Sequence, residues 1–488
     1  MKITTSDIKT VAKTPLLVVP VLEGQAVKLP SGVKAPAGFD AGFEAKERAT
    51  RSTFCVSGPA TRVLLIGLGS PEKLDEEMLR RAGALAVKFA EGNQLAKLTI
   101  WAGASWKGTS VESSWIGRSL AEGAYLGAYR YTVGKSKPEA ATCKQTVIAT
   151  GDAGIKRGVK VGLACAQASA LARDLQNGAG NTITPRALAS AARKVAAGSP
   201  KISIKVLDEP AMAKLGMNLL LGVSAGSVEP ARMIHLTYKP KGKSRGRIAL
   251  VGKGLTFDAG GLSIKPSSKM DEMRYDMSGG AAVIGVFEGL AKLDVPFEVH
   301  GIVGASENVI GPAATKPGDI HAAMNGTTVE ILNTDAEGRL LLADCLCYVA
   351  QKVKPDTILD LATLTGAIIV ALGHELTGLF GNSKELQESL YEAGEAVGEG
   401  CWPMPLLEAH KAAMKGTSAD LTNLGSPAVG AGSSTAAAFL SNFVPEGTAW
   451  CHLDIAGSAW NTRNRDWVGG PQGSGVGTRL LLEYLLRR

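Results

Sequence analysis

Ile248-Ala249-Leu250-Val251-Gly252-Lys253-Gly254-Leu255-Thr256-Phe257-Asp258 passes from an apolar tetrad into glycines, a lysine and an acid. Four consecutive apolar residues without alternation read as a strand covered on both faces. The glycine-dense Gly252-Lys253-Gly254, followed by Asp258-Ala259-Gly260-Gly261 and Lys265-Pro266, reads as a loop at the strand end, where a ligand can approach the backbone. Next comes Met273-Arg274-Tyr275-Asp276-Met277-Ser278-Gly279-Gly280, which opens a small-residue helix with an acid at its start. Further on, Asn333-Thr334-Asp335-Ala336-Glu337-Gly338-Arg339-Leu340 places two carboxylates and a guanidinium just ahead of the apolar helical run Leu340 to Val353. Strand and helix signals in this order predict an α/β fold. Beyond the carboxyl ends of the strands lies the edge where open α/β sheets bind ligands.

In an extended segment, residues two apart share a side, so Asp335 and Glu337 are expected to converge on one cation. Arg339 would face the same cavity and hold an anion in a bidentate fork. Singly, each of Asp258, Asp276, Asp335 and Glu337 fits a helix cap or a solvated turn as well as it fits a ligand. Together on one edge, four carboxylates call for cations.

The stretches Val251 to Asp258, Tyr275-Asp276-Met277 and Asn333 to Leu340 resemble the motifs of the leucyl aminopeptidase family, the cytosolic two-metal M17 exopeptidases. The likeness continues through Ala314-Thr315-Lys316-Pro317-Gly318-Asp319, Leu361-Ala362-Thr363-Leu364-Thr365-Gly366-Ala367 and His452-Leu453-Asp454-Ile455-Ala456-Gly457. It covers roughly the C-terminal three hundred residues, in order.

The resemblance implies the roles. Asp258 and Glu337 match carboxylates that bridge two metals, Asp335 a ligand of one metal, and Lys253 and Asp276 ligands of the other. Lys265 and Arg339 match catalytic positions that bind no metal. Met273, Ala456 and Ala459 would line the first side-chain pocket, and Asn333, Thr363, Leu364 and Gly366 would meet the substrate. Spacing alone never selects Lys253, because an ammonium has no lone pair; deprotonating an ordinary lysine at neutral pH costs about 4–5 kcal/mol. Without the resemblance, Lys253 reads as the partner of Asp258 in a salt bridge. Oxygen-rich ligation without histidine or cysteine is hard, so two divalent ions per subunit, Mn²⁺ or Zn²⁺ with Mg²⁺ and Co²⁺ also accepted, are expected. By the same resemblance, a bicarbonate held by Arg339 serves as proton shuttle, peptides are the substrates with leucine and other apolar first residues preferred, and the assembly is a homohexamer.

Organisation follows from the rest of the chain. A smaller N-terminal α/β domain over residues 1–160, a connecting helix and loop over 161–185, and a larger catalytic α/β domain over 186–488, with a mixed central sheet flanked by helices, are expected. Within the first, Thr61 to Gly69 reads as a strand and Glu76 to Glu91 as a helix. Gly67-Leu68-Gly69 is no dinucleotide fingerprint, since Glu72 stands where the third glycine belongs. Gly134-Lys135-Ser136 is no phosphate loop, since Tyr129 replaces its leading glycine. Thr184-Pro185 reads as a cap and first-turn proline.

The opening residues lack the apolar core of a signal peptide, and no uncharged run approaches membrane-spanning length, so a cytoplasmic protein without membrane attachment is expected. Seven cysteines, an odd number without a CxxC pair, favour reduced thiols. Cys345 and Cys347 fall on the helix after the acidic motif and read as packing residues rather than ligands. A net charge of +8 raises nucleic-acid binding as a second function. Its carrier would be Lys239, Lys241, Lys243, Arg245 and Arg247, between two predicted strands, where a solvated hairpin loop is the commoner meaning. A metal-free binding protein on the same fold is disfavoured, because every site position holds a chemically competent residue.

Overall fold

The computed structural model describes residues 1–8, 12–103, 106 and 108–488, which form two α/β units. One unit is Met1–Gln167 together with Asn464–Gly469. Its strands are β1 (Lys2–Ser6), β2 (Thr14–Val21), β3 (Thr50–Phe54), β4 (Ala60–Gly67), β5 (Lys97–Trp101) and β6 (Gln145–Ala149), in the order β1-β6-β5-β2-β4-β3. All pair parallel except β3, which runs antiparallel to β4. Helix α1 (Glu76–Gly92) starts at Asp75, whose carboxylate accepts the Met78 N–H. It meets α2 (Ser113–Gly127) backbone to backbone: a Cβ on Gly123 would lie 1.8 Å from the Arg80 carbonyl oxygen. Gly67 is likewise covered, 2.1 Å separating its would-be Cβ from the Lys46 carbonyl oxygen, which leaves no room there for a pyrophosphate.

Helix α3 (Ala153–Asn177) carries the chain out of this unit. The second unit is Ala168–Arg463 with Gly470–Arg488. Helix α4 (Pro185–Ala197) begins as its sequence predicts, with the Thr184 hydroxyl accepting the Ala187 N–H and Pro185 in the first turn. Short helices α5 (Glu209–Lys214) and α6 (Asn218–Ser224) precede the main run of strands. Strands β7 (Ile202–Leu207), β8 (Arg232–Tyr238), β9 (Arg247–Asp258), β10 (Glu298–Asn308), β13 (Thr357–Ala362), β14 (Thr377–Gly381), β15 (Cys401–Pro403) and β17 (Ala449–Asp454) build one mixed sheet, ordered β15-β14-β17-β13-β9-β10-β8-β7. A small second sheet holds β11 (Ile320–Ala322), β12 (Thr328–Glu330) and β16 (Leu421–Thr422).

The two faces of the main sheet are covered by different helices. Gly301 on β10 lies under the Phe287 ring of α7 (Ser278–Leu290), whereas Gly304, three residues on, lies under Leu341 and Cys345 of α8 (Gly338–Tyr348). An odd spacing on a strand means opposite faces, so α7 and α8 sandwich the sheet. Both helices are buried nearly all round. Cys345 and Cys347 belong to this packing, and all seven cysteines are free thiols.

Two expectations require correction. The glycines at 252 and 254 are not in a loop: β9 continues through them to Asp258 as one twelve-residue strand. Gly252 is needed because α7 sits directly on the strand, where a Cβ would fall 2.6 Å from the Gly279 carbonyl oxygen, and Gly254 because a Cβ there would fall 2.7 Å from the Gly304 carbonyl oxygen of β10. Nor is the basic stretch at 239–247 a hairpin loop, because β10 lies between β8 and β9 in the sheet. Several of its cations are used locally. Lys241 lies 3.4 Å from Asp294, Arg245 donates to the Arg488 carbonyl oxygen, and Arg247 donates to that of Val353. Among the described residues, no helix is long and apolar enough to cross a membrane.

Candidate metal centre

The alternation of β9 decides where its polar residues go. Gly252 faces α7, so Lys253 faces the α8 side, where Gly338 makes space for it; a Cβ there would lie 2.7 Å from Lys253 Nζ. The buried ammonium touches Asp276 Oδ2 at 2.7 Å, Glu337 Oε1 at 2.9 Å and the Thr363 carbonyl oxygen at 3.1 Å. Asp276 follows the short 3₁₀ helix Met270–Tyr275, and its Oδ1 accepts the Thr363 hydroxyl proton at 2.6 Å. Lys253 therefore pairs first with Asp276 and Glu337, not with Asp258.

At the end of the same strand, Asp258 Oδ1 accepts from the Gly260 backbone N–H and from Asn308 Nδ2, both at 2.9 Å. Its Oδ2 faces Lys265 Nζ at 2.7 Å, and that ammonium also contacts Asp335 Oδ1. The carboxylates of Asp258, Asp335 and Glu337 can bring one oxygen each to within 4.8 Å of one another. The route to that convergence differs from the expected extended segment. Asn333 Oδ1 accepts the Asp335 N–H at 2.8 Å, closing a turn, and Glu337 has helical φ −81° and ψ −33° as it caps α8. A turn, not a pleat, brings the two acids to one side.

Electrostatics show a site poised for cations. Burial opposes the charge on Lys253, yet Asp276, Glu337 and Asp258 outweigh it and hold the amine firmly protonated. Burial likewise opposes the charge on Lys265, and Asp258 and Glu337 again prevail. The acids move the other way: burial, then the neighbouring Asp258 charge, pushes the Glu337 carboxyl up, and burial does the same to Asp276 against the pull of Lys253. These directions are compatible, because burial is the leading cause that raises Glu337, Asp276 and Asp335, while the same acids lie close enough to keep both ammonium groups charged. Glu337 Oε2 is buried with no hydrogen-bond partner. Such an atom normally costs stability unless something accepts its lone pairs, and hard cations fit an all-oxygen set with one amine. Arg339, nearby on α8, is also buried, with Nε and Nη1 unpartnered. Burial lowers its pKa to about 10 against the pull of Glu337 and Asp454, leaving it charged at neutral pH.

The residues matched to substrate binding are tied together by one acid that the sequence reading did not single out. Asp454, at the end of β17, accepts the backbone N–H groups of Leu364 and Ala456 on Oδ1 and the Thr365 hydroxyl proton on Oδ2. It thus fixes the loop ahead of α9 (Gly366–Leu372). Gly366 is exposed, Met273 is half-buried on the turn before Asp276, and Ala459 is fully buried. Asn423 was also missed. Its buried amide accepts from the Leu332 and Asn333 N–H groups and donates to the Asn333 carbonyl oxygen, gripping the acidic turn from behind. Asn423 has no local sequence signal, since its partners lie about ninety residues away; Asp454 lies in a quoted motif, but its bonds to Leu364 and Thr365 reach about ninety residues back.

A mixed sheet covered on both faces, with a cluster of carboxylates that could hold a cation at its carboxyl edge, is an α/β architecture suited to metal-dependent chemistry. Residues 170–482 match the cytosol aminopeptidase family catalytic domain, and 39–138 match the family's N-terminal domain. A probable cytosol aminopeptidase of Solibacter usitatus is 41% identical over 479 residues, covering 96% of both chains. One from Geobacter sp. (strain M21) is 42% identical over 449 residues, covering 88% of this chain and 86% of its own. Among solved structures, the bottromycin maturation enzyme BotP, also seen in complex with Mn, superposes with a TM-score of 0.87 at 33% identity, covering 97% of this chain and 99% of BotP. The chain belongs to the cytosol aminopeptidase family and is a metallopeptidase, a hydrolase that takes amino acids from the amino end of peptides.

Proposed function

We propose that this aminopeptidase works with two divalent cations held by Lys253, Asp258, Asp276, Asp335 and Glu337, and that it prefers leucine and other apolar first residues. The observation that carries the reading is the gathering of Asp258, Asp335 and Glu337 oxygens within 4.8 Å, flanked by the Lys253–Asp276 pair. When bound, the cations supply Lewis acidity to the scissile carbonyl and to the attacking water. BotP's complex with Mn supports manganese as one of the ions accepted, with zinc, magnesium and cobalt as further hard or borderline fits.

The chain's own groups do the rest. To serve as a ligand, Lys253 would have to release its proton to solvent, and its amine lone pair would then join the carboxylates. Lys265, which contacts Asp258 and Asp335 here, would present its ammonium to the oxygen that gains negative charge once bound cations compete for those acids. Arg339 offers two unpartnered N–H groups to an exchangeable anion, and bicarbonate there would carry the proton from water to the leaving amine. Asp276 accepts from the substrate's free α-amino group, which restricts cutting to the first residue. Asn333, Thr363, Leu364 and Gly366 position the peptide backbone, while Met273, Ala456 and Ala459 set the side-chain pocket. Small alanines there leave room for leucine and methionine.

The proposal extends to a homohexamer in the cytoplasm whose sites face an interior cavity, favouring short peptides over folded proteins. Hydrolysis of a leucyl chromogenic substrate, measured before and after chelation, tests the core of it. Activity lost on chelation and restored by Mn²⁺ is expected; full activity in a chelated, metal-free sample would sink the reading.

A further inference from the structure

Asn308 is the last residue of β10, and a β-bulge decides what it faces. The register between β9 and β10 slips by one residue between Ser306 and Glu307, so that Asn308 stands opposite Asp258. Without the slip it would oppose Phe257, whose side chain points to the other face. The side chain is 4% exposed, and both Nδ2 protons are used: one goes to Asp258 Oδ1 at 2.9 Å, the other to the Thr334 carbonyl oxygen at 3.0 Å. Chemistry alone fixes this amide orientation, because a carboxylate and a carbonyl both demand a donor. The Asn308 Oδ1 is turned toward Gly261, 2.8 Å from where a Cβ would stand.

We propose that Asn308 is a positioning residue for the metal centre, locking the Asp258 carboxylate and the Asp335-bearing turn at a fixed separation. The inference rests on the ligand reading of Asp258 and Asp335. With Gly260, Asn308 saturates Asp258 Oδ1, so Oδ2, which here meets the Lys265 ammonium at 2.7 Å, is the oxygen that a cation would take over. Its second proton restrains Thr334, the residue before Asp335. Thr334 in turn is cross-linked to the Gly260 and Ser263 backbone through its hydroxyl, at 2.7 and 2.8 Å. One amide therefore ties the strand end that carries Asp258 to the turn that carries Asp335. An aspartate at 308 could do neither, since it would add a charge and remove both donors.

Outer partners of ligands typically affect metal affinity by 10–100-fold. The test is Mn²⁺ affinity of the purified full chain, read by competition with a fluorescent chelator, for wild type, Asn308→Leu, Asn308→Ser and Asp258→Asn, with the melting temperature of each metal-free protein alongside. Asn308→Leu should weaken Mn²⁺ binding roughly 10–100-fold, with Asn308→Ser, which keeps one donor, in between. The visible absorption of the cobalt-loaded variants should also shift, a change that lost packing alone does not produce. Wild-type affinity and spectrum in the Asn308 variants, with affinity lost in Asp258→Asn, would overturn the positioning role and leave the ligand reading standing. Wild-type affinity in Asp258→Asn would overturn the ligand reading itself. Should Asn308→Leu fail to fold, Asn308→Ser decides.

Discussion

On the proposed mechanism, Lys265 and Arg339 have separate tasks. Lys265 is about one-fifth exposed and sits between Asp258 and Asp335, whereas Arg339 is buried with open donors. Removing an oxyanion donor costs on the order of 10²–10³-fold in kcat. Lys265→Ala should therefore lose that much while elemental analysis still finds two metals per subunit. Arg339→Ala should also lose kcat, and added bicarbonate should change its rate. A Lys265→Ala enzyme with wild-type turnover, or rates indifferent to bicarbonate in wild type and variant alike, would remove these assignments. At this scale the sequence was most legible where chemistry is concentrated: acids, a lysine and an arginine in short motifs. Asn308 and Asn423 stayed hidden because each is an ordinary polar residue whose partners are set by tertiary register, and Asp454, though inside a quoted motif, gains its role through Leu364 and Thr365 far back in the chain.

Among the elements, α8 shows how a helix start can serve a site. Gly338 begins it, and its missing side chain is what lets Lys253 reach Glu337. Gly338→Ala should weaken metal binding by at least about 10-fold, the scale of a disturbed ligand support. The same crowding disturbs the buried pairs of Lys253 with Asp276 and Glu337, and breaking such pairs outweighs the up to about 1 kcal/mol that alanine gains in helix propensity, so the metal-free protein should melt lower as well. Equal metal affinity by calorimetry would show that Lys253 lies elsewhere when the ions are bound.

The strands carry a pH dependence of their own. His235 on β8 contacts His300 on β10 at 2.9 Å and the Tyr348 hydroxyl on α8 at 3.2 Å. Burial, then the His300 and Lys205 charges, lowers its pKa to about 4. A base with a depressed folded pKa binds fewer protons folded than unfolded between about pH 4 and 6.5. Its contribution is present above 6.5 and is lost as pH falls through that window. Urea midpoints should show wild type losing roughly 2 kcal/mol relative to His235→Gln between pH 7 and 5; parallel curves would refute it. Helix and strand positions were largely legible here from caps and apolar runs. The glycines of β9 and the basic connection after β8 look like local loops in the sequence for one reason: the sheet order and the pressure of α7 against β9 are long-range facts.

For the whole molecule, the α/β class and the two-part organisation follow from alternating strand and helix signals, and the family match spans both units. Assembly carries the consequence for substrates. Light scattering at micromolar concentration should give a mass six times that of the 50.5 kDa chain; a fully active monomer would defeat the interior-cavity picture. Beneath that, everything depends on where the ions sit. Anomalous diffraction from crystals loaded with Mn²⁺ measures this directly. Two peaks per subunit are expected, both shared by Asp258 and Glu337, one beside Asp335 and the other beside Lys253 and Asp276. A single peak, or peaks away from these side chains in an active crystal, would contradict the account.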